Sequence, residues 1–588
     1  MNIYSEEIKQ AYGQWLENAT EDPDIIRELK DMEADPEAVK DAFYRDLAFG
    51  TGGLRGVIGA GTNRMNIHTV GKASQGLADY ICSHFPEGSR SVAISFDSRI
   101  KSTLFARTAS EVFAAKGIQV HIYSELMPTP MLSWAVRRLG CSAGVMVTAS
   151  HNPSKYNGYK VYGPDGCQIT TEAAAEILAA IERIDPFRDV MRISFEKGLE
   201  NGVISYIGGN VIDSYMEAVK SQSMLKDGCK AGGNTPISRD AAIVYSPLNG
   251  TGLKPVLRAL KESGFTNITV VKEQEQPDGH FPTCPYPNPE IKEAMALGIE
   301  YAKRCNADLL LATDPDCDRV GIAVKNHDNE FILMSGNEVG MLLLDYICRQ
   351  RTAAGTMPEH PVFVKTIVTI DMAARIAADY GVSTVDVLTG FKFIGEQIGR
   401  LEKDGRDGDY ILGFEESYGY LSGSYVRDKD AVDGALLICE MFAYYQSQGL
   451  SLPDVLEGLY RKYGYCLNTL HSYEFEGMEG FGKMQGIMEK LHGLDVTTGL
   501  TIGGRKVETI EDYLSGRKLH RNGTLEDITG LPSSDVLKFR LEGSCSLVVR
   551  PSGTEPKLKL YISVSAESLE LAKAEEKVLL SQMEQFFC

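Results

Sequence analysis

Val145-Met-Val-Thr-Ala-Ser150-His-Asn-Pro-Ser-Lys-Tyr-Asn-Gly-Tyr-Lys160 is the stretch around which the chain is organised. The small apolar run from Gly144 to Val147 reads as a buried strand, and Asn152-Pro153 stops it. Pro153 pushes Asn152 toward an extended conformation, so the strand is expected to open into a sharp loop rather than a helix. Ser150 then stands at the carboxyl end of a strand, where open α/β sheets place their ligands. A serine there is either a nucleophile or phosphoryl carrier, or simply the cap of a turn, a position Ser and Asn both favour.

Outward from this strand, helices and strands alternate. A helix (70–85), a strand (92–96), a helix (104–116) and a strand (119–123) precede it, and Pro128-Thr-Pro130 starts a further helix. That is the rhythm of a layered α/β domain with a largely parallel sheet. Residues from about Glu6 to Leu47 read as a helical lead-in. Phe49-Gly-Thr-Gly-Gly-Leu-Arg55-Gly56 reads as a loop, too glycine-rich for regular structure. It is either a flexible connector or a place where backbone N–H groups and Arg55 meet a phosphate. The spacing excludes a P-loop, because no Gly-Lys-Ser/Thr follows.

The rhythm restarts after the polar stretch 226–234 and again at Pro361, and it changes near Tyr465. Beyond that point three close-set strands (536–541, 546–549, 558–563) and a terminal amphipathic helix suggest an α+β module. The expected architecture is four domains, 1–226, 227–345, 346–465 and 466–588. The first three are α/β units with mixed, largely parallel sheets, and the last is α+β.

Length and charge agree with this class. A chain of 588 residues is too long for one core. A formal net charge of −20 argues against a general nucleic-acid or anionic-membrane binder. Twelve cysteines without a Cys-x-x-Cys pair suggest reduced thiols rather than a disulfide framework or zinc site. With no signal peptide or membrane-length apolar run, a cytoplasmic protein is expected.

Three further motifs carry chemistry. Asp314-Pro-Asp316-Cys-Asp318-Arg319 sits between two apparent strands, and its three carboxylates can converge on one cation. Hard oxygen donors without His or Cys suit Mg²⁺; a solvated acidic turn is the plainer reading. An EF-hand is excluded, since Arg319 and Lys325 stand where its glycine and glutamate belong. Gly413-Phe-Glu415-Glu-Ser417 follows another strand, either a helix-starting turn or paired carboxylates able to accept bonds from adjacent sugar hydroxyls. Arg427-Asp-Lys429-Asp430 offers a cation or proton donor, or is a surface charge cluster. Arg550-Pro-Ser552-Gly553-Thr554-Glu-Pro-Lys557 is either a hairpin loop or a phosphate cradle of guanidinium, hydroxyls and backbone N–H groups.

The ordered set of Thr148–Pro153, Asp314–Arg319, Gly413–Ser417 and Arg550–Thr554, one motif per domain, resembles the α-D-phosphohexomutase superfamily from about Gly50 to the C-terminus. Glu-Glu-Ser followed by Tyr418-Gly419, where phosphomannomutases and phosphoglucosamine mutases usually have Gly-His, looks like the phosphoglucomutase side. Length and lead-in look most similar to the long bacterial members and their phosphopentomutase relatives.

The resemblance implies a heart-shaped enzyme with one cleft shared by four domains. Ser150 would be phosphorylated, and with Asp314, Asp316 and Asp318 would bind Mg²⁺. Glu415 and Ser417, assisted by Thr389 and Gly390, would hold the sugar. Arg550, Ser552, Gly553 and Thr554 would hold the non-reacting phosphate. Arg55, Lys160 and Lys429 fall at positions that contact phosphate or assist proton transfer, and His151 either orients the serine or packs its loop. The implied reaction interconverts glucose 1-phosphate and glucose 6-phosphate, with glucose 1,6-bisphosphate as activator and intermediate. Phosphopentomutase, phosphomannomutase and a non-catalytic phosphosugar sensor are the alternatives. The implied partners are small-molecule sugar phosphates, with a monomer or weak dimer expected.

Overall fold

The computed structural model describes residues 5–50, 52–225, 230–231, 235–475, 477–552 and 557–587. Its chain divides into two compact units, one comprising 1–336, 394–410 and 417–448, the other 337–393, 411–416 and 449–588.

In the first unit the lead-in forms helices Glu6–Asn18, Pro23–Met32 and Pro36–Phe43. Ser5, Asp22 and Asp35 cap them, and proline opens the second and third, where its missing N–H costs nothing. Tyr12, Trp15, Leu29 and Phe43 bury the inner faces of these helices into the same core as the sheet that follows. That sheet has seven strands in the order Phe49–Gly50, Gly53–Val57, Tyr156–Tyr162, Ala143–Val147, Ser91–Phe96, Gln119–Ile122, Ile204–Tyr206. The last four run parallel to one another, and the first three are antiparallel additions. The stretch Phe49–Gly56, expected as a loop, is therefore largely two short strands. Gly53 serves close packing there: a Cβ on it (φ +132°) would sit 1.8 Å from the Tyr159 carbonyl oxygen.

A second sheet in this unit orders Ile268–Val270, Ile243–Ser246, Leu309–Thr313, Val320–Lys325 and Phe331–Met334. Its first two pairings are parallel and its last two antiparallel. Asp314–Arg319 is the tight connection of an antiparallel pair, with Thr313 opposite Val320. Cys317 takes φ +52° at the bend, held by its N–H to the Asp314 carbonyl at 2.9 Å.

In the second unit Val362–Thr366 pairs in parallel with Ser383–Val387. The first of these strands ends at Thr366, where the chain turns and Thr369 N–H bonds the Thr366 carbonyl at 3.1 Å. The helix Gly336–Ala354 runs through the expected boundary at 345/346. The C-terminal part is an antiparallel sheet ordered Tyr465–Glu474, Lys557–Ala566, Cys545–Pro551, Leu537–Leu541, Arg505–Asp512, Arg517–His520, Leu525–Asp527. Met484, Ile487 and Leu491 of helix Gly477–His492, with Leu579 and Met583 of helix Leu569–Phe587, share its core with Phe539 and Leu547. No helix among the described residues is long and apolar enough to cross a membrane.

Candidate active site

In the first unit Ser150 follows the wholly buried strand Ala143–Val147 and is 3% exposed. Its Oγ donates to Asp314 Oδ2 at 2.8 Å and lies 3.2 Å from His151 Nδ1. The hairpin carrying the three aspartates thus meets the serine loop across 164 residues of sequence.

Each aspartate is held differently. Asp314 Oδ1 accepts the N–H groups of Asp318 (3.1 Å) and Arg319 (3.0 Å). Asp316 Oδ2 accepts from Lys160 Nζ at 2.8 Å and Thr129 Oγ1 at 2.9 Å. Asp318 Oδ2 faces Lys160 Nζ at 3.4 Å and Lys429 Nζ at 2.9 Å. Asp316 Oδ1 and Asp318 Oδ1 are buried without a hydrogen-bond partner among the described residues.

Burial and the charges of Asp316 and Asp318 push the Asp314 carboxyl well up. Burial acts the same way on Asp316, but Lys160 overrides it and holds that carboxyl below the ordinary carboxylate range. Lys160 responds in kind: burial disfavours its charge, yet Asp316 and Asp318 raise it above the usual lysine range. Burial and the nearby Arg319 and Arg55 charges keep the His151 imidazole neutral well below its ordinary range.

One carboxylate oxygen from each of the three aspartates lies within 4.8 Å of the others. An all-oxygen donor set with two orphaned buried oxygens fits a hard divalent cation. Lys160 and Lys429, with Arg319 Nε 3.9 Å from Asp318 Oδ1, supply the positive charge that faces the three buried aspartates.

Lys160 reaches the aspartates from strand Tyr156–Tyr162, which sequence patterning did not reveal. Arg55 projects from the neighbouring strand Gly53–Val57, and its Nη1 donates to Asn152 Oδ1 at 3.1 Å. Lys429 is steered by Asp428, whose Oδ1 accepts its N–H at 2.9 Å and whose Oδ2 accepts from Tyr162 OH at 2.7 Å. Ser417 also belongs to this unit. Thr129 and Asp428 were missed by sequence reasoning. Thr129 lies between Pro128 and Pro130 at the start of helix Thr129–Leu139, so the proline pair marked the turn but not the contact.

In the second unit Glu415 ends strand Tyr410–Glu415, and its Oε1 accepts the N–H of Gly390 at 3.1 Å. Gly390 has φ +119°, and the Thr389 hydroxyl beside it is buried without a hydrogen-bond partner among the described residues. The sugar-binding candidates Thr389, Gly390 and Glu415 therefore form one local cluster. Arg550 lies near the end of strand Cys545–Pro551, its Nη2 3.4 Å from Tyr561 OH. Ser552 N–H donates to the Lys557 carbonyl at 2.7 Å. Gly553 and Thr554 lie outside the described residues.

The arrangement in the first unit, a serine hydroxyl among buried carboxylates and ammonium groups at a strand end, suits phosphoryl transfer, whose demands are positioning and charge stabilisation. The chain is similar to known proteins. Models of the phosphoglucomutase/phosphomannomutase alpha/beta/alpha domains I, II and III match residues 46–188, 213–327 and 335–463. A phosphoglucomutase of Staphylococcus saprophyticus is 36% identical over 557 residues, which is 95% of this chain and 97% of that one. Among solved structures, parafusin (phosphoglucomutase) from Paramecium in an open form superposes with a TM-score of 0.66 at 16% identity, covering 92% of this chain and 96% of its own. A putative phosphomannomutase from Thermus thermophilus gives 0.65 at 20% identity, covering 92% and 99%. These two attest the fold, and the family models and the Staphylococcus relative attest the lineage. The chain belongs to the phosphoglucomutase/phosphomannomutase family of the α-D-phosphohexomutase superfamily, enzymes that transfer phosphate within a sugar.

Proposed function

We propose that the chain is a phosphoglucomutase, interconverting glucose 1-phosphate and glucose 6-phosphate with Ser150 as the phosphoryl carrier. The observation that carries this is Ser150 Oγ at 2.8 Å from Asp314 Oδ2, beside Asp316, Asp318, Lys160 and Lys429. The name of the Staphylococcus relative supports glucose as the sugar.

Asp314, Asp316 and Asp318, with an oxygen of phosphorylated Ser150, would hold Mg²⁺. When bound, the ion would neutralise charge on the transferring group. Lys160 and Lys429 add fixed positive charge on the same side, and Arg55 offers a further guanidinium beside the serine loop. The free hydroxyl of a sugar monophosphate takes the phosphoryl group as the Ser150 Oγ–P bond breaks, giving glucose 1,6-bisphosphate; Ser150 is rephosphorylated from the other position. Glu415, with Thr389, Gly390 and Ser417, reads the sugar hydroxyls. Arg550 and Ser552, with Gly553 and Thr554, take the non-reacting phosphate. His151, neutral and beside Ser150, orients the hydroxyl. The acidic chain takes sugar phosphates as partners, as a monomer or weak dimer in the cytoplasm.

The test is kcat/KM over a panel of hexose and pentose 1-phosphates with bisphosphate present, together with intact mass of wild type and Ser150→Ala. Glucose 1-phosphate is expected to lead, and the alanine variant to fold yet lose several orders of magnitude in turnover. A pentose phosphate leading the panel would reassign the sugar. Release of free phosphate instead of isomer would make the enzyme a hydrolase.

A further inference from the structure

Ser150 leaves its strand with φ +51°, a left-handed conformation that a residue with a side chain adopts only when its surroundings impose it. The restraint comes from outside the loop. Arg99, in the turn after strand Ser91–Phe96, is 3% exposed. Its Nη2 donates to the carbonyls of Ser150, at 2.5 Å, and of Asn152. Its Nη1 donates to the carbonyls of Pro153 at 2.9 Å and Tyr156 at 3.0 Å. One guanidinium thus gathers four carbonyls of the carrier loop, a task its rigid planar fork suits and a lysine ammonium does not. The Phe281 ring lies 5.1 Å from its central carbon and covers one face.

The other half of the restraint runs through Asp97. This buried carboxylate pairs with Arg99 Nε at 3.4 Å, and its Oδ1 accepts from Arg99 N–H (2.9 Å) and Ser102 Oγ (2.8 Å). Its Oδ2 accepts from Thr148 Oγ1 at 2.6 Å, and Thr148 Oγ1 in turn accepts the N–H of Ser150 at 2.8 Å. Both backbone polar groups of the serine are therefore tied to one buried ion pair, the carbonyl directly and the N–H through a threonine hydroxyl.

We infer that Asp97, Arg99 and Thr148 are positioning residues for phosphoryl transfer, fixing the backbone of Ser150 so that its Oγ points at the aspartate cluster. This rests on the reading of Ser150 as the carrier. None of the three touches the reacting atoms; they act by holding the attacking and leaving oxygen in one place before substrate arrives. A merely structural ion pair would, when weakened, lower the folded fraction and leave each folded molecule equally active.

The experiment compares wild type, Thr148→Val, Thr148→Ser and Arg99→Lys. Each is assayed for thermal unfolding, for kcat and KM on glucose 1-phosphate, and for the rate at which glucose 1,6-bisphosphate phosphorylates the dephosphorylated enzyme, followed by intact mass and peptide mapping. Thr148→Val keeps shape and loses the hydroxyl link. It is expected to fold, to lose about ten- to hundredfold in kcat and in phosphorylation rate, and to keep KM within about twofold. Thr148→Ser restores the link and is expected to recover most of the rate. Arg99→Lys is expected to lose more than Thr148→Val; should it fail to fold, the two threonine variants decide alone. Phosphate on Ser150 with wild-type rates in Thr148→Val would overturn the positioning role while leaving the carrier intact. Phosphate mapped to another residue in wild type would overturn both.

Discussion

Lys160 Nζ lies 2.8 Å from Asp316 Oδ2, an ion pair whose carboxylate is fully buried and whose lysine side chain is 11% exposed. Removing one partner of such a pair leaves the other charge buried and uncompensated, at a cost of about 3–5 kcal/mol. Lys160→Met is therefore expected to lose about 3 kcal/mol of stability in metal-free buffer. The double variant with Asp316→Asn should recover part of that loss, because the stranded carboxylate is gone. Urea unfolding of the four-member cycle checks this. Strict additivity would mean that the two groups do not sense each other.

The orphaned oxygens of Asp316 and Asp318 lead to a second expectation. Chelation with EDTA should abolish turnover and added Mg²⁺ should restore it. Asp316→Asn should weaken Mg²⁺ binding, read by calorimetry, by at least about tenfold, since a neutral amide is a poorer donor to a hard cation. Because the same substitution removes the partner of Lys160, a loss of stability should accompany it. Full activity in metal-free buffer would reject the cation site.

What the sequence disclosed follows from the range of the forces involved. The strand leading to Ser150 is buried on both faces, so it is continuously apolar and announces itself locally. Strands Gly53–Val57 and Tyr156–Tyr162 do not, because their glycines are demanded by neighbours far along the chain. A Cβ on Gly158 would lie 2.9 Å from the carbonyl oxygen of Leu54, on the neighbouring strand far back in the sequence, and nothing near residue 158 signals that approach. The same holds for Thr129 and Asp316, bonded across 187 residues. Motif chemistry named the aspartates and the serine; the groups that aim and balance them come from elements whose proximity only the fold creates.

His68 predicts a pH dependence unrelated to catalysis. It is 2% exposed, its ring 5.3 Å from Trp15 and 4.9 Å from Phe187, and its Nε2 has no hydrogen-bond partner among the described residues. Burial, helped by Arg192 and opposed by Asp22, lowers its pKa from 6.5 to about 4. Between those values the unfolded chain binds the proton that the folded chain refuses, so stability falls as pH drops from 6.5 to about 4 and does not fall further from this group below that. The full loss is about 3 kcal/mol. Carboxylates titrate in the lower part of this window, so the measurement is the difference between wild type and His68→Leu in urea unfolding across it. A difference that stays constant with pH would show that His68 is not held neutral.

Arg550 and Glu415 are expected to fail in different ways. The Arg550 motif offers a guanidinium and hydroxyls, which suit a phosphate, whereas Glu415 ends its strand beside Gly390 N–H and offers a carboxylate, which suits sugar hydroxyls. Arg550→Ala removes a charge-assisted contact of about 1.5–3 kcal/mol, so kcat/KM should drop about tenfold or more. A bisphosphate intermediate must bind in two orientations, so the loss should appear for both the 1-phosphate and the 6-phosphate. Glu415→Gln keeps the shape but alters which hydroxyls are accepted, so it should change the ranking among sugars. The comparison is one substrate panel run on both variants. If Arg550→Ala re-ranks the sugars while Glu415→Gln lowers them all equally, the roles of the two sites are reversed.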